Sequence, residues 1–277
     1  MRLSAARHIC TLFILAALTG VISGCAREVP LTETVRFTVF GNTSPVSPFS
    51  GFTKSLGGVI AGIESEKTAI VIHTGDAIYG GSESDGITER DAKRQYGIFF
   101  ARLKNFHSVY YTIPGDRDLL NGETSIYSEF SGRKPYYSFN YGSIHFVTLD
   151  TTAPGESFID GKQMEWLADD LEYFSTSNAI FILFHRPFIT SKKRGDALPV
   201  PGELHALFMK HKVTAVISGG DKSYSNRKFD SVQYISAGCA GYNDEKENRR
   251  TTQYYIFSYR NSGLAVDPVN FDIQKNN

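Results

Sequence analysis

The chain is poor in cysteine and has no excess of charge of either sign, and each shortage excludes a class of protein. Its 277 residues contain three cysteines, Cys10, Cys25 and Cys239, and two of these lie near the N-terminus. A scaffold built on several disulfides is therefore excluded. The 29 basic side chains are balanced by 29 acidic ones, so the sequence lacks the basic footprint of a nucleic-acid-binding protein.

Several familiar enzyme motifs are also missing. The sequence contains no Gly-x-Ser-x-Gly elbow, no phosphate-binding P-loop and no dinucleotide fingerprint. What it does contain is 41% apolar residues over 277 positions, enough to bury a substantial core in one or two domains. Disordered, collagen-like and coiled-coil proteins are excluded on composition.

The N-terminus is typical of a targeting signal. Arg2 and Arg7 precede an apolar run over residues 9–22, which is too short to span a bilayer comfortably. The run ends Ile22-Ser23-Gly24-Cys25, which resembles a bacterial lipobox, where the cysteine is acylated and becomes the first mature residue. An ordinary cleaved signal with an incidental cysteine is the alternative.

On the lipobox interpretation, residues 1–24 form a lipoprotein signal peptide, Cys25 is lipidated and residues 25–34 are a tether. The expected location is the cell envelope, facing away from the cytoplasm, with the lipid anchor as the membrane attachment. Ala26 follows the cysteine where an Asp often retains lipoproteins at the inner membrane, which favours the outer membrane.

From Val35 onward, short β-branched or aromatic runs alternate with stretches of helical periodicity. The runs predict strands over 35–40, 69–73, 108–113, 136–141, 143–149, 179–184, 213–218 and 253–259, with helices over 52–65, 87–106 and 202–210. Asp160 and Gln163 have the spacing of a capping box for one more helix. This alternation predicts one α/β domain with a mixed sheet over residues 35–277.

Five loops that follow predicted strands carry polar residues, four of them beside a glycine. They read Phe-Gly-Asn-Thr-Ser at 40–44, Thr-Gly-Asp-Ala-Ile-Tyr at 74–79, Pro-Gly-Asp-Arg-Asp at 114–118, Phe-His-Arg-Pro at 184–187 and Ser-Gly-Gly-Asp-Lys-Ser-Tyr at 218–224. In open α/β sheets the chemistry gathers at the carboxyl ends of strands. These loops are therefore the candidate site.

In this order the five loops resemble those of the calcineurin-like metallophosphoesterases. That family's loops read Asp-x-His, Gly-Asp-x-x, Gly-Asn-His followed by Asp or Glu, a lone His, and Gly-His-x-His. The likeness covers roughly residues 35–259 and includes the segments between the loops. It implies an α/β fold whose central mixed β-sheets form a sandwich flanked by helices.

The resemblance assigns the family's first metal to Asn42, Ser44, Asp76 and Lys222. A serine hydroxyl is a poor ligand, and an ammonium group has donors but no lone pair. We therefore expect this metal position to be lost.

The second metal falls on Asp76, Asp116, His185 and Gly220. The first three can coordinate Mn, Fe or Zn with water as a fourth ligand. Alternatively, Asp76 and His185 pair with Lys222 and Arg117 in an ion cluster that needs no metal. The expected cofactor is thus none, or one divalent ion.

Arg117 stands where the family has its catalytic histidine. Arginine stays protonated, so it can grip a phosphate but cannot relay a proton. Two-metal hydrolysis needs both ions, and efficient catalysis is therefore not expected.

The predicted function is a module that binds phosphate or another anion through Arg117, Lys222 and Asn42, or that serves as a scaffold for an envelope protein. The alternative is a slow one-metal phosphoesterase that uses Asp76, Asp116 and His185. Among the other histidines, His73 and His145 are expected in the core, and His205 and His211 at the surface.

Overall fold

The chain folds into two β-sheets that face each other and are covered by helices. The computed structural model describes residues 34–152, 159–187, 200–221, 223–237, 251–261 and 263–272. The strands among them are β1 (Val35–Phe40), β2 (Ile70–His73), β3 (Val109–Thr112), β4 (Tyr137–Tyr141), β5 (Ile144–Thr148), β6 (Ala179–Phe184), β7 (Ala215–Ser218), β8 (Tyr224–Phe229), β9 (Val232–Ala237), β10 (Thr251–Arg260) and β11 (Gly263–Asp272). The helices are α1 (Lys54–Ser65), α2 (Glu89–Leu103), α3 (Ser125–Ser131), α4 (Gly161–Tyr173) and α5 (Gly202–Lys210), with short 3-10 turns at Glu83–Asp85 and Asp116–Asp118.

Both sheets are mixed. The first has the strand order β11-β10-β1-β2-β3. Strands β1, β2 and β3 are parallel, and β10 runs antiparallel to both of its neighbours, β1 and β11. The second has the order β4-β5-β6-β7-β9-β8, with four parallel inner strands and an antiparallel strand at each edge. The mixed sandwich expected from the sequence is confirmed.

The space between the sheets is filled by aromatic and branched side chains. Phe37 of the first sheet lies at the centre, with its ring centroid 5.3 Å from that of Phe146 and 5.2 Å from that of Phe181 of the second. Alternate residues of the strands face this core, while the others face the helices. Burial of apolar area on both faces of each sheet is the main stabilising term.

The helices cover the outer faces. On the first sheet, Leu56 of α1 and Phe99 of α2 are fully buried; on the second, Leu167 of α4 and Phe208 of α5 are. The helix predicted over 87–106 begins later, at Glu89, because Thr88 and Asp91 form a capping box.

The capping box predicted for α4 is half formed. Asp160 accepts a hydrogen bond from Gln163 N, but the Gln163 amide bonds to the backbone of Asp150, with Oε1 at 2.7 Å from its N and Nε2 at 3.0 Å from its O. Gln163 thus connects the start of α4 to the end of β5.

Two predictions about histidines were wrong. His205 and His211 are buried, not at the surface. His205 bonds through Nδ1 to the Tyr234 hydroxyl at 2.7 Å and through Nε2 to Asp230 at 2.9 Å. The partners come from β9 and the turn before it, which the charged local sequence does not reveal.

Residues 1–33 lie outside the described residues, and with them the predicted signal peptide, the lipidated Cys25 and most of the tether. Within the part of the chain that is described, no helix combines the length and the apolarity needed to cross a bilayer.

Candidate functional site

The five loops meet at one edge of the sandwich, at the carboxyl ends of β1, β2, β3, β6 and β7. Hydrogen bonds join loops from the two sheets: Asn42 Nδ2 donates to Gly219 O at 2.5 Å, and His185 Nδ1 donates to Thr74 O at 2.7 Å. The cleft is therefore built from both sheets, as the sequence motifs imply.

Glycines allow the loops to approach one another closely. A Cβ at Gly115 would lie 2.6 Å from Asp76 Oδ1 and 2.8 Å from His185 Nδ1, and a Cβ at Gly41 or Gly219 would collide with Thr74 Oγ1. The glycines of the motifs thus have a steric role that is independent of any bound ligand.

Asp76 and His185 form the centre of the site. Because the Thr74 carbonyl can only accept, the Nδ1 atom of His185 carries the hydrogen, and its Nε2 is directed at Asp76 Oδ1, 3.3 Å away. Asp76 adopts a left-handed backbone with φ of 58°, and its Oδ1 also accepts Arg117 N at 2.9 Å. This is the geometry of two groups that either form an ion pair or share a cation.

The Arg117 guanidinium lies across the residues assigned to the first metal. Its Nη1 is 3.3 Å from Ser44 Oγ, its Nε is 4.0 Å from Asp76 Oδ2, and its Cζ is 4.8 Å from the centre of the Tyr79 ring. The cation–π contact with Tyr79 and the nearby Asp76 carboxylate hold the guanidinium in this position.

Asp116, expected as a metal ligand, is paired with an arginine. Arg186 Nη2 lies 2.8 Å from Asp116 Oδ1. Sequence reasoning did not single out Arg186, although it follows His185 directly in the fourth loop.

Of the other predicted site residues, Asn42 is buried, with a left-handed φ of 54°. One of its amide N–H groups is used in the bond to Gly219 O. Lys222 lies outside the described residues, so its predicted role at the first metal position stays a prediction.

Asp118, the last residue of the third loop, is a structural carboxylate for which the sequence predicted no role. Its Oδ1 accepts the N–H groups of Ala77 and Ile78, and its Oδ2 accepts that of Gly115. Burial raises the pKa of Asp118 to about 7, the Asp76 carboxylate adds to the rise, and the N–H donors and His185 oppose it. Asp118 joins the second and third loops.

His73, predicted to lie in the core, is fully buried behind the site. Gly75 N donates to its Nδ1 at 3.3 Å, so its Nε2 carries the hydrogen and donates to Thr43 Oγ1 at 2.9 Å. Burial lowers the pKa of His73 to about 3, with a smaller contribution from His185. The neutral ring ties the first loop to the second.

Two of the three candidate ligands of the second metal face each other, and the third is paired elsewhere. Asp76 and His185 are directed at each other, but Asp116 is engaged by Arg186, and a catalytic zinc site takes three protein ligands. Among the described residues, no group of three or more His, Cys, Asp or Glu side chains is placed to hold an ion.

A two-sheet sandwich with five such loops at one edge is the scaffold of the metallophosphoesterase class. The chain belongs to the calcineurin-like phosphoesterase family, whose model matches residues 49–224, more than half of its length. Members of this family usually bind divalent metals.

Similar proteins agree with the family. Over 119 residues the chain is 32% identical to "Probable inactive purple acid phosphatase 9" of Arabidopsis thaliana; the match covers 41% of this chain and 18% of that much longer relative. Purple acid phosphatase PPD1 of yellow lupin superposes with a TM-score of 0.62 at 15% identity, over 87% of this chain and 53% of the lupin chain.

Two further structures cover most of both chains. A dimetal phosphatase from Danio rerio has a TM-score of 0.63 at 10% identity, over 87% of this chain and 99% of its own. GAP50, "the anchor in the inner membrane complex of Plasmodium", has a TM-score of 0.61 at 15% identity, over 85% of this chain and 84% of its own. At these identities the structures show a shared fold.

Proposed function

We propose that this protein is a lipid-anchored member of the family at the cell envelope, that its two-metal centre is eroded, and that it binds phosphate or another anion, or serves as a scaffold for an envelope protein. Efficient hydrolysis is not part of this role.

The observation that carries the proposal is the placement of Arg117. Its guanidinium contacts Ser44 and Asp76, two of the four residues assigned to the first metal. Asp116, which the resemblance assigns to the second metal, is paired with Arg186. A site lined by two guanidinium groups offers planar donors for the oxygens of a phosphate.

Two relatives support a role without turnover. The Arabidopsis relative is described as probably inactive, and GAP50 is described as an anchor. Both descriptions belong to those proteins, and they are consistent with a role of this chain in which catalysis is not required.

The test is thermal unfolding of the chain from Ala26 onward with added inorganic phosphate, and with chloride at matched ionic strength as control. A ligand that binds the native state raises the midpoint. We expect phosphate to raise it and Arg117→Gln to abolish the rise. A midpoint unchanged by phosphate, sulfate or nucleotide would contradict anion binding and leave the scaffolding role.

One observation favours a second candidate, the one-metal phosphoesterase. His185 Nε2 faces Asp76 Oδ1 at 3.3 Å, as two ligands of one ion would. This candidate requires about one Mn, Fe or Zn per chain by elemental analysis, lost in Asp116→Ala, with hydrolysis of p-nitrophenyl phosphate that disappears in Asp76→Ala and His185→Ala. Hydrolysis that survives both substitutions would exclude it.

The lipid anchor is tested separately. Cells that express the chain are labelled with radioactive palmitate, beside cells that express Cys25→Ala. Label on the wild type and none on the variant supports the anchor, and membrane fractionation then distinguishes the inner from the outer membrane. Equal label on both proteins would contradict it.

A further inference from the structure

Arg186 engages the carboxylate that the family assigns to the second metal. Its Nη2 lies 2.8 Å from Asp116 Oδ1, and the two side chains are 29% and 47% exposed. The preceding residue, His185, faces Asp76. One loop thus supplies both an imidazole that faces the first carboxylate and a cation that pairs with the second.

The backbone connects Asp116 to the other two candidate ligands through the next residue. The N–H of the next residue, Arg117, donates to Asp76 Oδ1, the same oxygen that faces His185 Nε2. Asp116 therefore directly precedes the residue whose backbone N–H bonds to Asp76, while its own side chain is turned to Arg186.

We infer that Arg186 is an internal counter-cation that takes the place of a divalent ion at Asp116 and so sets the metal affinity of the whole site. A guanidinium is permanently protonated and matches a carboxylate in geometry. An incoming ion has to displace it before Asp76, Asp116 and His185 can supply three ligands, the number that a catalytic zinc site uses. This inference rests on the proposed loss of the two-metal centre and names the residue that enforces it.

The experiment titrates the full chain, in detergent micelles, with MnCl₂ or ZnCl₂ by calorimetry. Arg186→Gln is expected to bind one ion about fivefold more tightly than the wild type, the factor that corresponds to release of an exposed ion pair. Arg186→Lys keeps a cation beside Asp116 and is expected to stay near the wild type. Arg94→Gln, which removes an arginine that bonds to Pro48 O, is the control for loss of a positive charge elsewhere.

The double variant Arg186→Gln with Asp116→Ala is expected to lose the gain, because the released ligand is then absent. A gain that persists in the double variant overturns the inference. Equal weak binding by the wild type, Arg186→Gln and Arg186→Lys also overturns it, while leaving the proposed function in place. Two ions bound to the wild type overturn both. Circular dichroism melts identify any variant that fails to fold, and Arg186→Met, which also removes the cation, then takes the place of Arg186→Gln.

Discussion

His73 Nε2 donates a hydrogen bond to Thr43 Oγ1 at 2.9 Å, which fixes the buried imidazole in one neutral tautomer. A proton added at Nδ1 would face the N–H of Gly75. The low pKa of His73, about 3, follows mainly from burial, and this geometry makes protonation worse still.

This bond leads to a prediction for pH. The unfolded chain protonates His73 near pH 6.5 and the folded protein near 3, so stability contributed by the neutral ring is complete above pH 6.5 and is lost as the pH falls. The loss is about 1.4 kcal/mol per pH unit below 6.5. His73→Gln removes this pH dependence. In urea titrations the free energy of unfolding of the wild type should therefore exceed that of the variant by less and less as the pH falls towards 5.

Thr43→Val is the matched control, because it removes the same hydrogen bond and leaves the titrating ring in place. Its deficit is expected to stay constant with pH. Asp118 titrates in the opposite sense, since its raised pKa means that the folded state takes up a proton first, near pH 7, and its contribution is lost as the pH rises. The informative quantity is therefore the difference in unfolding free energy between the wild type and His73→Gln, in which the contribution of Asp118 cancels. If this difference does not change with pH, the prediction is refuted.

Asp118→Ala is expected to destabilise the protein strongly. It leaves the N–H groups of Ala77, Ile78 and Gly115 without their acceptor, and each unsatisfied buried donor costs about 1–3 kcal/mol. Asp116→Ala, two residues away, removes an exposed ion pair worth about 1 kcal/mol or less. Urea midpoints of the two variants measure the contrast, and equal midpoints would show that Asp118 does not hold the loops.

Gly115→Ala is expected to displace the centre of the site. The new methyl group would press on Asp76 Oδ1 and His185 Nδ1, and overpacking of this kind costs about 1–3 kcal/mol. Gly97→Ala in α2 is the control: its Cβ meets nothing nearer than 3.9 Å, and a helical glycine replaced by alanine gains about 0.5–1 kcal/mol. Thermal midpoints that move in the same direction for both would contradict the steric argument.

Phe37→Ala is expected to cost about 3–5 kcal/mol, the usual range for a phenylalanine removed from a core. Its ring packs against Phe146, Phe181 and Phe257 between the sheets. Phe49→Ala, at a side chain that is 68% exposed, is expected to change stability by less than about 0.5 kcal/mol. Denaturation by urea compares the two, and a mild effect at Phe37 would argue against a shared core.

The apolar strands and the helices with strong periodicity could be predicted because their signals are local. The run Ala179–Phe184 is buried on both faces and is read as a strand from composition alone. Strand β8 was not predicted, since Tyr224–Phe229 is an edge strand with alternating exposure and polar residues. Its strand conformation is stabilised by backbone pairing with β9, which its own sequence does not indicate.

The loops of the site could likewise be located, but the pairing of their side chains could not. Asp116 and Arg186 are far apart in the chain; the first was assigned to the second metal, and the second directly follows His185 in the fourth loop. Their contact depends on how the third and fourth loops are placed by different sheets. The sequence therefore predicted which loops meet at the cleft, while the choice of partner for each charge required the structure.

The crowding of Gly41, Thr74 and Gly219 separates the shape of the cleft from its chemistry. The backbone path at this edge is set by steric contact between the loops, so exchange of a ligand side chain that projects into the cleft leaves the path intact. The function of such a scaffold can change during evolution while the backbone of its loops is retained. The shape of the cleft then indicates common ancestry more than present activity.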